Sequence, residues 1–217
     1  MDLHGKRIIL ASGSPRRREL LKGLDIDFTV DTGNNFKEEF SPDTPAEEVP
    51  VLMSEGKSAG FHRALEADEI LITADTMVIL PPQDGRPGEI LGKPHNREDA
   101  ARMLRDLSGR EHHVTTAVTI RSNAMKDTFT ATTEVWFKEL SDEEIYYYID
   151  TYKPFDKAGA YAIQEWIGHI GITRIEGSYF NVVGFPVQRV WEHLQTFFVI
   201  ARGDKCFIHS YLCKRGC

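Results

Sequence analysis

The chain has 217 residues, 41% apolar and 27% charged, which suits one large domain or two small lobes sharing a core, leaves no room for a string of modules and argues against disorder. Twenty-six Lys and Arg against 33 Asp and Glu leave a net charge of -7. The general positive field that draws proteins onto nucleic-acid polymers or anionic membranes is therefore missing, although a local basic cluster can still hold a small anion.

Taken in chain order, Arg7 to Gly13 is a short apolar run ending in small residues, which predicts a buried strand. Ser14-Pro15 then opens a helix, with Ser as N-cap, Pro at the first helical position, and Leu20, Leu21 and Leu24 as the buried stripe. A strand is expected from Asp27 to Val30 and a polar loop from Asp31 to Asp43. Thr44-Pro45-Ala46-Glu47 reads as a capping box that starts a helix running to Leu65. Ile70 to Ala74 predicts a second buried strand, with Met77 to Leu80 continuing it or pairing beside it, before a turn cluster from Pro81 to Gly88.

Asn96 to Leu107 reads as a helix stopped by Ser108-Gly109. The β-branched runs His113 to Arg121 and Thr128 to Phe137 predict a hairpin. Ser141-Asp142-Glu143-Glu144 is a further capping box, opening a helix to Thr151, and Val187, Val190, Trp191, Leu194 and Phe198 mark a C-terminal amphipathic helix. The sum is an α/β protein with a mixed sheet, because the hairpin argues against a purely parallel, doubly wound one. No apolar run reaches the ~18 residues of a membrane span. Cysteine is confined to Cys206, Cys213 and Cys217, in a spacing that with His209 matches no zinc pattern, so a reducing, cytoplasmic compartment is expected. Residues 1–198 read as one domain and residues 199–217 as an atypical tail.

The chemistry concentrates in a few places. Ser12-Gly13-Ser14-Pro15-Arg16-Arg17-Arg18 brings small residues to a helix N-terminus, where free N–H groups, hydroxyls and guanidinium groups suit a phosphate. Three arginines there oppose the helix dipole, which is costly without an anion; the plainer alternative is an N-cap beside a solvated basic face. Asp75, in Ala74-Asp75-Thr76, follows a buried apolar run, a place from which a carboxylate can enter a crevice at the sheet edge and serve as metal ligand or general base. Lys57, Lys93 (in Gly92-Lys93-Pro94) and Lys157 (in Asp156-Lys157-Ala158-Gly159) are the candidate cations, and Glu38 and Glu39 form an acidic loop that could complete a metal site. Gln164 is a neutral amide in an apolar stretch, either structurally paired or able to read a uracil or thymine edge.

These segments, together with Leu107-Ser108-Gly109, Ala158-Gly159-Ala160-Tyr161, Ile163-Gln164, Gly177-Ser178-Tyr179 and Asn181-Val182-Val183-Gly184-Phe185-Pro186, resemble in order the Maf-like nucleoside triphosphate pyrophosphatases over roughly residues 6 to 198. The resemblance implies an elongated, often dimeric α/β subunit of the inosine-triphosphatase type, with a cleft between two lobes. It implies hydrolysis of a nucleoside triphosphate at the α–β bond with Mg²⁺ or Mn²⁺, as removal of non-standard or excess nucleotides, and an association with septum formation. Arg16-Arg17, Asp75-Thr76 and Gln164 match the branch that prefers dTTP and UTP. The branch resembling 7-methyl-GTP pyrophosphatases carries Trp-Arg, Asp-Gln and Glu instead.

By this match Asp75 is the proton acceptor, Arg16, Thr76 and Gln164 set specificity, and Glu38 joins Asp75 at the metal. Lys57 and Lys93 match the family's phosphate-contacting lysines, and Ser12, Ser14, Arg17 and Lys157 are expected to complete the phosphate cradle. Glu165-Trp166-Ile167-Gly168-His169 departs from the Gly-rich stretch of the family, and the tail resembles nothing in it. The rival readings are a nucleotide-binding regulator of division without turnover, and a phosphoryl or nucleotidyl transferase, for which no Walker or kinase signature is present.

Overall fold

The computed structural model describes residues 3–82 and 88–202, without the side chains of 199–202. The tail with its three cysteines, and part of the Pro81 to Gly88 turn, lie outside the described residues. Seven described strands form one mixed sheet: β1 (Arg7–Leu10), β2 (Phe28–Val30), β3 (Glu69–Leu80), β4 (Glu89–Leu91), β5 (Glu111–Arg121), β6 (Lys126–Phe137) and β7 (Ile172–Glu176). The order is β2-β1-β3-β5-β6-β7, with β4 on β3. β1 runs parallel to β2 and β3, and every other pairing is antiparallel. The helices are α1 (Pro15–Lys22), α2 (Val49–Ala59), α3 (Arg97–Leu107), α4 (Asp142–Tyr152), α5 (Trp166–Gly171), α6 (Tyr179–Val183) and α7 (Val187–Arg202). No described helix is long and apolar enough to cross a membrane.

Three strands of 11 or 12 residues, β3, β5 and β6, span the whole molecule, and alternation decides what each face does. On one face Ile70, Ile72, Ala74, Val118, Ile120 and Phe129 pack against α1 and α7. Farther along that face Val78, Leu80, Val114, Val135 and Phe137 pack against α3, α4 and the segment around Tyr161. Between these two cores the face carries Thr76 and Thr116, whose hydroxyls lie 3.0 Å apart. One sheet thus supports two lobes, and the polar pair marks the boundary. On the opposite face α2 is anchored by Ser54, which bonds the Thr73 carbonyl at 3.3 Å and the Thr119 hydroxyl at 2.9 Å.

The division is also written into the edge of β3. Its ladder with β1 ends at Ile72, and its ladder with β4 begins at Val78. Residues 73–77 are left without a strand partner on that side among the described residues, and a cleft opens there.

Side chains cap several helices, at Ser14 and Ser141 as expected. Ser14 accepts from the Arg17 amide, Asn96 from that of Asp99, and Ser141 and Glu144 make a reciprocal capping box. The helix expected from Thr44 to Leu65 is shorter at both ends. Thr44 closes a turn onto the Ser41 carbonyl, and α2 begins at Val49 without a side-chain cap. The reason is Pro50, which has no N–H for an intrahelical bond and is tolerated only in a first turn. Gly60 ends the helix, after which Phe61 bridges to Asn34 and joins a small cluster with Ile9, Leu65 and Leu71. β1 stops at Leu10 rather than Gly13. Met77 to Leu80 continues β3, so Asp75 lies inside a long strand and not at its end.

Candidate active site

The cleft is a cavity of about 860 Å³, which is the size range of a nucleotide site. Ser12, Ser14, Arg16, Arg17, Glu38, Lys57, Asp75, Thr76, Lys93, Lys157 and Gln164, the residues expected from sequence, all line it. They come from both lobes and from six separate stretches of chain, which the open edge of β3 brings together.

Asp75 is buried, with its side chain on the α2 face of the sheet. Lys57, from the last turn of α2, donates to Asp75 Oδ1 at 2.6 Å and lies 3.1 Å from Glu38 Oε2. One ammonium therefore joins the two carboxylates singled out as metal ligands. Asp75 Oδ2 is buried and has no hydrogen-bond partner. A buried carboxylate oxygen without a donor is costly unless a ligand supplies one. Glu38 is held near it because Phe36, two residues earlier, packs on Gly56 of α2, where an added Cβ would lie 2.2 Å from the ring. Oxygen donors converging on a cationic position fit a hard divalent ion.

At the N-terminus of α1, Ser12 is buried and its Oγ accepts from the Ser14 amide at 3.3 Å. The three arginines there have separate fates. Arg17 reaches into the cleft floor and donates to the Ala74 carbonyl at 2.7 Å, the Gly184 carbonyl at 3.0 Å and Thr76 Oγ1 at 3.0 Å. Burial lowers its pKa from the ordinary arginine value. Arg16 crosses the cleft to Asp156, 3.1 Å away, and Arg18 donates to the Gly13 carbonyl at 3.4 Å. Protein acceptors thus offset much of the unfavourable charge at this helix end, and an anion is not the only group that can do so. A direct phosphate contact by Arg17 competes with three such acceptors.

Sequence reasoning named Asp156 without giving it a task. Burial would raise its pKa, but hydrogen bonds from Lys157 and Arg16 outweigh this and hold the carboxyl below its usual range. Lys157 is buried between Asp156 Oδ1 at 2.8 Å and Glu165 Oε1 at 3.3 Å. Glu165 in turn accepts from Tyr148, so part of the segment that departs from the family pattern supports the lysine. Gly159 has φ of +67°, and its amide donates to the Gly92 carbonyl at 3.0 Å. A Cβ there would press on Val78, so glycine allows the Lys157 and Lys93 loops to meet. Lys93 is exposed and forms no hydrogen bond or ion pair among the described residues. Gln164 Oε1 is buried on the cleft wall and unpartnered.

Thr76 lies on the other face of β3 from Asp75. Its hydroxyl is shared among Arg17, Thr116 and the Gly184 carbonyl. Thr116, Gly184 and His95 also line or support the cleft and were not anticipated. Thr116 sits in a β-branched strand run that gives no chemical signal, whereas Gly184 acts through its carbonyl inside a motif already recognised.

The chain is 50% identical over 194 residues to a dTTP/UTP pyrophosphatase of Phocaeicola vulgatus, covering 89% of this chain and 97% of that protein. It is 46% identical over 196 residues to a dTTP/UTP pyrophosphatase of Parabacteroides distasonis, covering 90% and 98%. The structure of the Staphylococcus aureus Ham1 protein aligns with a TM-score of 0.47 at 17% identity, over 87% of this chain and 100% of that one. The Maf-like protein family matches residues 7–197, and the chain belongs to that family.

Proposed function

We propose that the protein hydrolyses dTTP and UTP to the nucleoside monophosphate and pyrophosphate, using the cleft beside β3. The observation that carries this reading is the Lys57–Asp75 pair, in which Oδ1 is held and buried Oδ2 is left without a donor. A carboxylate fixed through one oxygen presents the other in a defined direction to a water.

The triphosphate lies along the N-terminus of α1, facing Ser12 and Ser14, with Lys93 and Lys157 reaching it from the other lobe. Arg17 contributes charge and holds Thr76, while Arg16 and Gln164 frame the base. Gln164 offers an acceptor and a donor, the complement of a uracil or thymine edge. Water adds to the α-phosphorus as the bond to the α–β bridging oxygen breaks, pyrophosphate leaves, and Asp75 Oδ2 takes the proton of the water. Glu38 and Asp75 would hold Mg²⁺ or Mn²⁺, which supplies neutralisation of phosphate charge. The rest is positioning and electrostatics by fixed groups. The same reading carries removal of unwanted pyrimidine nucleotides, a cytoplasmic location and a homodimer, the last checked by light scattering.

Asp75→Asn removes the proton acceptor while keeping shape. Turnover, followed as pyrophosphate released from dTTP, should fall by roughly 10²–10⁴-fold with an unchanged circular dichroism spectrum. Near-normal turnover would remove Asp75 from this role.

A further inference from the structure

We propose that Glu111, His113 and Glu134 form a second metal site, separate from the cleft, that takes a transition-metal ion of the Zn²⁺ class. The ladder builds the cluster. His113 on β5 stands directly opposite Glu134 on β6, and Glu111 lies two residues before His113, so alternation puts all three side chains on one face. One ligating atom from each lies within 4.8 Å of the others, and His113 Nε2 is already 3.1 Å from Glu111 Oε1. All three are half-buried, so the donors are partly shielded from water without being closed to an ion.

Charge makes the arrangement unfavourable without a shared cation. Glu134 faces Glu176 on its other side, across the β6–β7 ladder, and like charges directly opposite each other destabilise a sheet. Arg174 pairs with Glu176, but among the described residues no lysine or arginine pairs with Glu111 or Glu134. A metal ion bound among the three donors would neutralise both carboxylates. Two carboxylates and an imidazole, leaving a position for water, are a donor set for Zn²⁺ and its borderline neighbours. The imidazole separates this site from the oxygen-only pair at Glu38 and Asp75. His113 is also four ladder positions from Ala117, the partner of Asp75, or roughly 13 Å at ~3.3 Å per residue, too far to share an ion.

Co²⁺ titration of the full chain tests this, with Mg²⁺ in excess to fill the cleft. The thiols of Cys206, Cys213 and Cys217 compete for the same ion, but thiolate ligation shows an intense near-ultraviolet charge-transfer band that nitrogen and oxygen donors lack. The expected result is one Co²⁺ with visible d–d absorption and no such band, displaced by Zn²⁺ and retained when the three cysteines are changed to serine. In His113→Ala the affinity should drop by at least the roughly tenfold that loss of even an outer-shell partner causes. Glu134→Gln, which keeps the shape of the sheet face, should weaken it as well, and dTTP turnover of both variants should stay at the wild-type level. No Co²⁺ bound, a thiolate spectrum alone, or equal affinity in wild type and both variants would overturn the proposal.

Discussion

Gln164 and Asp75 present the same physical situation in the lining of the cleft: a buried oxygen with no partner in the protein. Native structures rarely leave such atoms unpaired, and because both residues line the cleft we propose that a ligand group pairs with each. Gln164→Glu tests the first. An acceptor-only carboxylate cannot replace the amide donor, so kcat/KM for dTTP and UTP should fall roughly ten- to hundredfold relative to a purine triphosphate. An unchanged base preference would contradict the assignment. At this scale much was legible, because Asp75, Lys57, Lys93 and Gln164 stand in short motifs. The Arg16–Asp156 bridge was not, since its partners are 140 residues apart and neither motif signals the other. Nor could sequence show that Arg17 turns inward, because three consecutive arginines look alike until the floor of the cleft supplies carbonyl acceptors.

At the scale of elements, α2 is the part that places Lys57 and Glu38 beside Asp75. It was also the helix read least well. The capping-box pattern at Thr44 points to an early start, whereas the missing N–H of Pro50 is the stronger constraint. The short pieces β7, α5 and α6 escaped notice because five or six residues hold too little periodicity to register. The long antiparallel strands and the Ser141 capping box were read correctly, since alternation and caps are local. Gly56→Ala probes the seam between α2 and the Phe36 loop. Helix propensity alone favours alanine by about 1 kcal/mol. Against this, the new methyl would overlap the Phe36 ring and move the segment bearing Glu38. The clash should win. The metal concentration for half-maximal turnover is expected to rise roughly tenfold, as for loss of an outer-shell support, with α2 still formed. An unchanged metal requirement would show that this packing does not position Glu38.

For the whole molecule, two cores on one face explain how a single sheet carries a cleft. Long strands make the lobes continuous, and the threonines between the cores, with the unpaired edge of β3, keep the middle polar and open. The second-lobe core contains a titratable group, His112, fully buried, stacked on Phe137 and bonded to the Tyr161 hydroxyl at 2.8 Å. Burial, with a smaller effect from His113, lowers its pKa from 6.5 to about 3. Between those values the unfolded chain binds a proton that the native chain does not, so stability falls as pH drops below about 6.5. From pH 7.5 to 5 the loss from this residue is about 2 kcal/mol. His112→Gln can keep the Tyr161 bond and does not titrate, and the carboxylates titrate alike in both proteins. The urea-derived stability difference between wild type and variant should therefore shrink by that amount across the interval. A difference that does not change with pH would mean that His112 is already charged, or exposed, in the native protein.

The measurement closest to the central claim is product analysis with a nucleotide panel: dTTP, UTP, CTP, 7-methyl-GTP, dITP and the common purine triphosphates, each with Mg²⁺ and Mn²⁺. Monophosphate and pyrophosphate in equal amounts, from dTTP and UTP ahead of the rest, are the predicted result. Orthophosphate as the first product would contradict attack at the α-phosphorus, and turnover of 7-methyl-GTP alone would contradict the specificity read from Arg16, Thr76 and Gln164. A protein that binds these nucleotides and turns over none of them would contradict the assignment of Asp75 as proton acceptor.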